Sequence, residues 1–368
     1  MSTVFAKPFR LGGLEIKNRA LLAPLAGVSD VPFRRICQEL GAGLTYVEMI
    51  SSTAINHAKV RTLDLTRRHE SEDQLGFQLT GPNAESVADA SEEIERRGFE
   101  TIDVNMGCPV RKIVNKGWGS AILKEPQRVQ DTIAHMRERV SVPVTAKIRL
   151  GFTENDLNVV DVCRRLAVAG AEMITIHGRL RGEDYGAPVR YDKISEGFAA
   201  AKSIKPDVFT MGNGNVFDYA SAMEMVNKTG CDAVLVSRGA LGNPWIFGQI
   251  VRGDEVHPTV DEWAEVLFRH MDYHETFYGV SVPTTARFRK HLLWYVSGFP
   301  HTRQLRPVLS QVKTMDEVRR IIEELVAGFP GDLPRNASAP EANRRIRAMH
   351  DPKYEMDRKL DRGFQPES

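Results

Sequence analysis

The chain has 368 residues, 42% of them apolar, and a formal net charge of +1. That length holds one large domain and a smaller one, and the near-neutral charge excludes a chain that is polycationic throughout, so any nucleic-acid surface must be local. The four cysteines, Cys37, Cys108, Cys163 and Cys231, are scattered with no C-x-x-C pair, which argues against a zinc centre or a disulfide framework and fits a reducing cytoplasm.

No signal peptide is expected in the first residues, and no apolar run is long enough to cross a bilayer. Residues 20–25 are the first short apolar run, followed by an amphipathic stretch over 31–40 that Gly41 closes. Residues 44–48 and 75–79 are the second and third runs. Asn83 is then a good N-cap for a helix to Arg97, with Gly98 as its stop. The fourth run begins at Thr101 and breaks at Gly107-Cys108-Pro109. Pro126 suits the first turn of a helix to about Val140. The fifth run is 144–148, and a helix over about 157–169 stops at Gly170. The sixth and seventh runs are 173–177 and 208–211. A helix over about 219–228 ends at Gly230, and 233–236 is the eighth run. Eight runs, mostly separated by helical stretches, predict a (β/α)₈ TIM barrel, α/β in class, with its chemistry at the C-terminal ends of the strands.

From about Pro258 the pattern changes to helices alone, over 260–278, about 285–295 and 315–327. The predicted division is a barrel over 1–253, a helical domain over 258–330, and a polar, disordered tail over 331–368. Between Ser281 and Met315 there is no acidic residue. The stretch carries Arg287, Arg289, Lys290, Arg303, Arg306 and Lys313, with Phe288, Trp294, Tyr295 and Phe299 among them. Two readings of it stand: an RNA-phosphate surface, or a solvated helix face with its aromatics in the bundle core.

The strand ends hold the candidate chemistry. Gln78, Asn105, Lys147 and His177 would ring one mouth, a set that suits a flat polar heterocycle. Asn213-Gly214-Asn215 and Ser237-Arg238-Gly239 follow the last two strands, where such barrels commonly hold a phosphate. Cys108 has three readings at this level: a general acid, a nucleophile with its pKa lowered by Arg111, Lys112 or His177, or a buried small hydrophobe.

Asn105-Met106-Gly107-Cys108-Pro109, with Lys112 and then Gly119-Ser120-Ala121, resembles the catalytic signature of the tRNA-dihydrouridine synthases. Pro24-Leu25-Ala26-Gly27 with Pro32-Phe33-Arg34, Ala146-Lys147-Ile148-Arg149, His177-Gly178-Arg179, Gly212-Asn213-Gly214 and 238–247 are similar to further motifs of that family. Arg289-Lys290-His291 with Trp294-Tyr295 resembles its bacterial B-type branch. The resemblance implies FMN held by Pro24, Leu25, Ala26, Gln78, Lys147, His177, Asn213, Gly214, Asn215, Ser237, Arg238 and Gly239. It implies Cys108 as the general acid in NADPH-driven, FMN-mediated reduction of the C5=C6 bond of tRNA uridines. RNA contacts are expected from Asn105, Arg111, Lys112, Arg179, Arg287, Lys290 and Arg306. Leu25, Asn215 and Ser237 stand where the family often has Met, Asp and Gly. A cytoplasmic monomer with no metal is expected. The rivals are a flavin enzyme acting on a free pyrimidine and a non-catalytic RNA-binding barrel.

Overall fold

The computed structural model describes residues 3–57, 64–297 and 302–334. The expected polar tail therefore lies outside the described residues from 335 on, as does Phe299.

An antiparallel hairpin comes first, β1 (Phe9–Leu11) and β2 (Leu14–Ile16). Strands this short carry too few alternating positions to stand out in sequence, and neither was predicted. Phe9, Leu11 and Ile16 pack with Met173, Met211 and Ala233, at or near the starts of barrel strands, and Phe9 stacks on Phe209 with ring centroids 3.9 Å apart. The hairpin thus covers the end of the barrel opposite the strand C-termini.

The predicted runs form the barrel: β3 (Ala20–Leu22), β4 (Thr45–Tyr46), β6 (Leu75–Thr80), β7 (Thr101–Met106), β8 (Val144–Arg149), β9 (Met173–His177), β10 (Phe209–Asn213) and β11 (Ala233–Val236). Their order around the sheet is β3-β11-β10-β9-β8-β7-β6-β4, and each ladder is parallel. A two-residue strand, β5 (Ile50–Ser51), pairs alongside β6. The ring closes between its ends where Leu22 N–H donates to Leu44 O at 3.0 Å and Gly43 N–H donates to Ala20 O at 2.9 Å. Strands covered on both faces need near-continuous apolar sequence, which is why they read as runs and not as alternations.

The helices obey their caps. Asn83 accepts from Ser86 N–H ahead of Ala84–Arg96, Pro126 opens Pro126–Arg139, and Gly230 ends Tyr219–Thr229 in the left-handed conformation. Tyr191–Ile204, between β9 and β10, carried no such signal: its cap residue is Arg190, whose side chain makes no capping bond.

After Gly253 the described chain forms helices Val260–Tyr278, Val282–Tyr295, Thr302–Leu309 and Met315–Val326. The second starts three residues before the predicted 285, because Ser281 caps it and Pro283 fits its first turn. Trp263, Leu267, Met271, Phe288, Leu292, Tyr295 and Ile322 form an apolar cluster of their own. This settles where two of the patch aromatics lie: Phe288 and Tyr295 are in that core, as the second of the two readings had it. The helices sit on the barrel through Val31–Glu39. Tyr273 OH donates to Glu39 at 2.8 Å, Tyr278 OH donates to Asp30 at 3.2 Å, and the Lys290 ammonium donates to Gly27 O. Among the described residues no helix is long and apolar enough to cross a membrane.

Candidate active site

The C-terminal ends of the strands surround a cavity of about 500 Å³, within the size range of ordinary cofactor sites. All twelve residues expected to hold the cofactor line it: Pro24, Leu25 and Ala26 after β3, Gln78 on β6, Lys147 on β8, His177 on β9, Asn213, Gly214 and Asn215 at the end of β10, and Ser237, Arg238 and Gly239 after β11. Cys108, Asn105 and Arg111 line it as well.

A directed chain of hydrogen bonds crosses β6, β7 and β8 beneath the cysteine. Thr145 Oγ1 donates to Asp103 at 2.6 Å, and Gln78 Nε2 donates to the other Asp103 oxygen at 2.7 Å. Asn105 Nδ2 then donates to Gln78 Oε1 at 2.9 Å, and Asn105 Oδ1 accepts from Gly107 N–H at 3.1 Å and Cys108 N–H at 2.8 Å. Because the carboxylate can only accept while ionised, it fixes the orientation of both amides. Burial raises the Asp103 carboxyl to about 6, against the opposing hydrogen bonds from Thr145 and Gln78 and the charge of Lys147. Asn105, expected at the substrate, thus has its amide engaged in positioning Cys108.

The cysteine loop is tied down from two more sides. Arg149 donates to Gly107 O at 3.0 Å and Leu180 O at 2.6 Å, and Ser120 Oγ donates to Cys108 O at 2.9 Å. Gly119 has φ +58, and a Cβ there would lie 2.9 Å from Cys108 O and 3.0 Å from Cys108 Cβ, so glycine is required at 119 by close approach.

Burial raises the Cys108 thiol above its ordinary value, opposed by a backbone hydrogen bond at Val110 and by the charges of Arg149 and Lys147. The cations that reach the thiol are therefore not Arg111 and Lys112, and the net effect keeps it protonated. His177 cannot act as an activating cation either. Burial, together with Arg149, Lys147, Arg179 and Arg238, pushes its pKa well below the ordinary value. Burial and the neighbouring Arg149 lower the Lys147 ammonium to about 8.

At the opposite end, Asn213 Nδ2 donates to Leu235 O at 2.8 Å and Ser237 Oγ at 3.2 Å. Asn215 has φ +55, a conformation asparagine tolerates better than most residues. Its side-chain Oδ1 accepts from Arg179 at 3.2 Å and Arg238 at 3.3 Å. The Arg238 guanidinium lies over the Tyr185 ring, 4.1 Å from its centroid. Ammonium and amide donors at one end and a guanidinium with glycine-rich backbone at the other fit a polar ring with an anionic tail, which is the chemistry of the expected flavin.

The RNA contacts expected from sequence divide. Arg111 and Lys112 are exposed, Arg111 at the cavity mouth, and Arg287 is exposed over the Tyr278 ring. Arg306 is half-buried. Arg179 is a correction. It is fully buried, and its guanidinium donates to Ala187 O, Tyr185 O and Asn215 Oδ1, so it braces the loop after β9 and is not itself exposed to RNA. Lys290 is half-buried and faces Gly27 O, Asp30 and Glu48 at the barrel contact. Of the patch aromatics, Trp294 reaches the cavity. Arg149, Tyr185 and Trp294 were missed as site residues. Arg149 directly follows the predicted run 144–148 and ends the observed strand, a strand-end position like that of His177.

Residues 21–328 match the family described as dihydrouridine synthase (Dus). The chain is 33% identical over 333 residues to a probable tRNA-dihydrouridine synthase 1 from Synechocystis sp., covering 88% of this chain and 91% of that protein. It is 34% identical over 310 residues to the tRNA-dihydrouridine synthase B of Pasteurella multocida, covering 82% and 90%. In fold it is similar to histamine dehydrogenase from Rhizobium sp. 4-9, with TM-score 0.52 and 14% identity, over 73% of this chain and 51% of that one. It is also similar to a 2-naphthoyl-CoA reductase complex, with TM-score 0.54 and 12% identity, over 71% and 53%. At such identities these two likenesses concern the fold alone.

Proposed function

Because the chain belongs to the dihydrouridine synthase family, we propose a reaction in which Cys108 donates the proton that completes reduction of a tRNA uridine. The enzyme is a flavin-dependent oxidoreductase that forms dihydrouridine in tRNA. The finer assignments belong to this proposal: FMN as the flavin, NADPH as the electron donor, the cytoplasm as the compartment, and a barrel of 1–253 with a helical RNA-binding part of 258–330.

The flavin, when bound, supplies the hydride for C6 of the uracil ring. Lys147 and Gln78, which line the cavity at the strand ends, would hold the cofactor's ring, and the Lys147 charge would favour negative charge there. Gly214, Ser237, Arg238 and Gly239 would hold its phosphate. As C6 gains hydride, C5 becomes enolate-like and takes a proton from Cys108 Sγ; solvent then reprotonates the thiolate. To reach a barrel mouth the base must leave its stack. Arg111 and Lys112 at the rim, with Arg287 and Arg306 on the helices, bind the phosphates of the folded RNA.

The observation that carries this reading is Cys108 itself: half-buried at a cavity wall, on a loop whose backbone is held by Asn105, Arg149 and Ser120, with its thiol raised in pKa by burial. The test is purified protein with unmodified tRNA and NADPH. A yellow protein that forms dihydrouridine in tRNA is expected. A colourless protein, or one that reduces free uracil and leaves tRNA untouched, would overturn the proposal.

A further inference from the structure

Where the helical segment meets the barrel, three histidines and an aspartate converge. Asp30 caps Val31–Glu39, six residues after the cavity-lining Pro24. His270 and His274 lie one turn apart on Val260–Tyr278, and His291 is on Val282–Tyr295. Asp30, His270 and His291 each offer a ligand atom, and these atoms all lie within 4.8 Å of one another. No other group of His, Cys, Asp and Glu among the described residues is so arranged.

The histidines are 0%, 1% and 1% exposed, yet four of their six ring nitrogens have no hydrogen-bond partner among the described residues. His270 Nδ1 lies 3.2 Å from the Tyr295 hydroxyl, which leaves Nε2 unpartnered. His274 Nε2 lies 3.1 Å from Thr284 O, and its unpartnered Nδ1 lies 3.8 Å from Asp30 Oδ2. Both nitrogens of His291 are unpartnered. Buried polar groups are normally satisfied, so each such atom needs a reason. One ring nitrogen fixed by a hydroxyl or carbonyl, with the other left open, is the arrangement of a metal-ligating histidine and its orienting partner.

We propose that Asp30, His270 and His291 form a site for a divalent transition metal of the zinc class that clips the helical segment to the barrel. Imidazole nitrogen with one carboxylate suits zinc and its neighbours better than calcium or magnesium. Asp30 Oδ1 accepts from Phe33 N–H and Oδ2 from Tyr278, and a carboxylate oxygen has a further lone pair for a metal. Lys290 is the opposing charge nearby, and it faces Glu48 as well as Asp30. The metal would fix the loop that carries Pro24, Leu25 and Ala26 against the helix that brings Trp294 to the cavity. The C-x-x-C rule could not find such a site, because its ligands come from three separated segments.

The test is zinc content and affinity of the tag-free full-length protein. About one zinc per chain is expected to survive gel filtration, and a chelator should lower the melting temperature until zinc is restored. Tyr295→Phe, which removes the orienting hydroxyl, should weaken zinc by roughly 10–100-fold, and His270→Ala or His291→Ala by more. Should the alanine variants fail to fold, cobalt decides: the chelator-treated wild type should develop visible bands on Co²⁺ addition that zinc abolishes. Sub-stoichiometric zinc, affinity unchanged in the variants, or no cobalt bands would each overturn the site.

Discussion

Asp103→Asn tests the hydrogen-bonded chain beneath Cys108. The wild-type carboxyl is 4% exposed and raised from 3.8 to about 6. A folded-state carboxyl that holds its proton longer than in the unfolded chain adds stability at low pH, and this is lost as pH rises through the folded value. The loss therefore falls between about pH 4 and pH 7. The shift is about two units, so at about 1.4 kcal/mol per unit the loss is on the order of 3 kcal/mol. The amide that replaces the carboxyl does not titrate, while its carbonyl can still accept from Gln78 and keep both neighbouring amides oriented. Urea unfolding of wild type and Asp103→Asn at several pH values from 4 to 7 should give stability curves that diverge by roughly that amount, with the wild type losing more. Dihydrouridine formation by Asp103→Asn should persist, whereas Asp103→Leu, which leaves Gln78 and Thr145 without their acceptor, should impair it. Parallel stability curves, or equal activity of the Asn and Leu variants, would refute the role given to Asp103.

Arg149→Met removes two charged hydrogen bonds to buried carbonyls, worth about 1.5–3 kcal/mol each; it should lower stability and activity while flavin stays bound, read by unfolding, turnover and absorbance. Gly119→Ala should cost at least about 1–2 kcal/mol from its positive φ alone and should also displace Cys108. Gly98→Ala, with φ +81 and open space at its Cβ, should share the strain and leave activity intact. Arg287→Ala should weaken tRNA binding and reduce the salt slope by about one, while Lys290→Met should lower stability and leave the slope unchanged. Matching slope changes in both would mean that the two residues share one role.

The barrel was legible because each strand is an apolar run ended by a turn former or a polar residue, and parallel strands need little else. The helix Tyr191–Ile204 and the hairpin at Phe9–Ile16 were not, one lacking a cap and the other length. The cavity residues were legible as strand ends, but their individual work was not. Arg149 and Arg179 both follow a strand's last apolar positions, and only packing shows that one ties the cysteine loop and the other a loop after β9. Arg287 and Lys290 stand three apart in one basic stretch, and the helix turns one to solvent and the other to Gly27. Asp103 looked like an ordinary strand residue, since its partners Gln78 and Thr145 come from neighbouring strands. Such side-chain networks depend on register, which a single sequence does not spell out.

The most direct test of the whole account is turnover by Cys108→Ala. The residues proposed to hold the flavin are others, so the purified variant should be as yellow as the wild type and should bind tRNA equally. Dihydrouridine formation should fall by about 10²–10⁴-fold, the usual contribution of a positioned acid. A yellow Cys108→Ala protein that modifies tRNA within a few-fold of the wild-type rate would contradict the assignment of Cys108 as the proton donor.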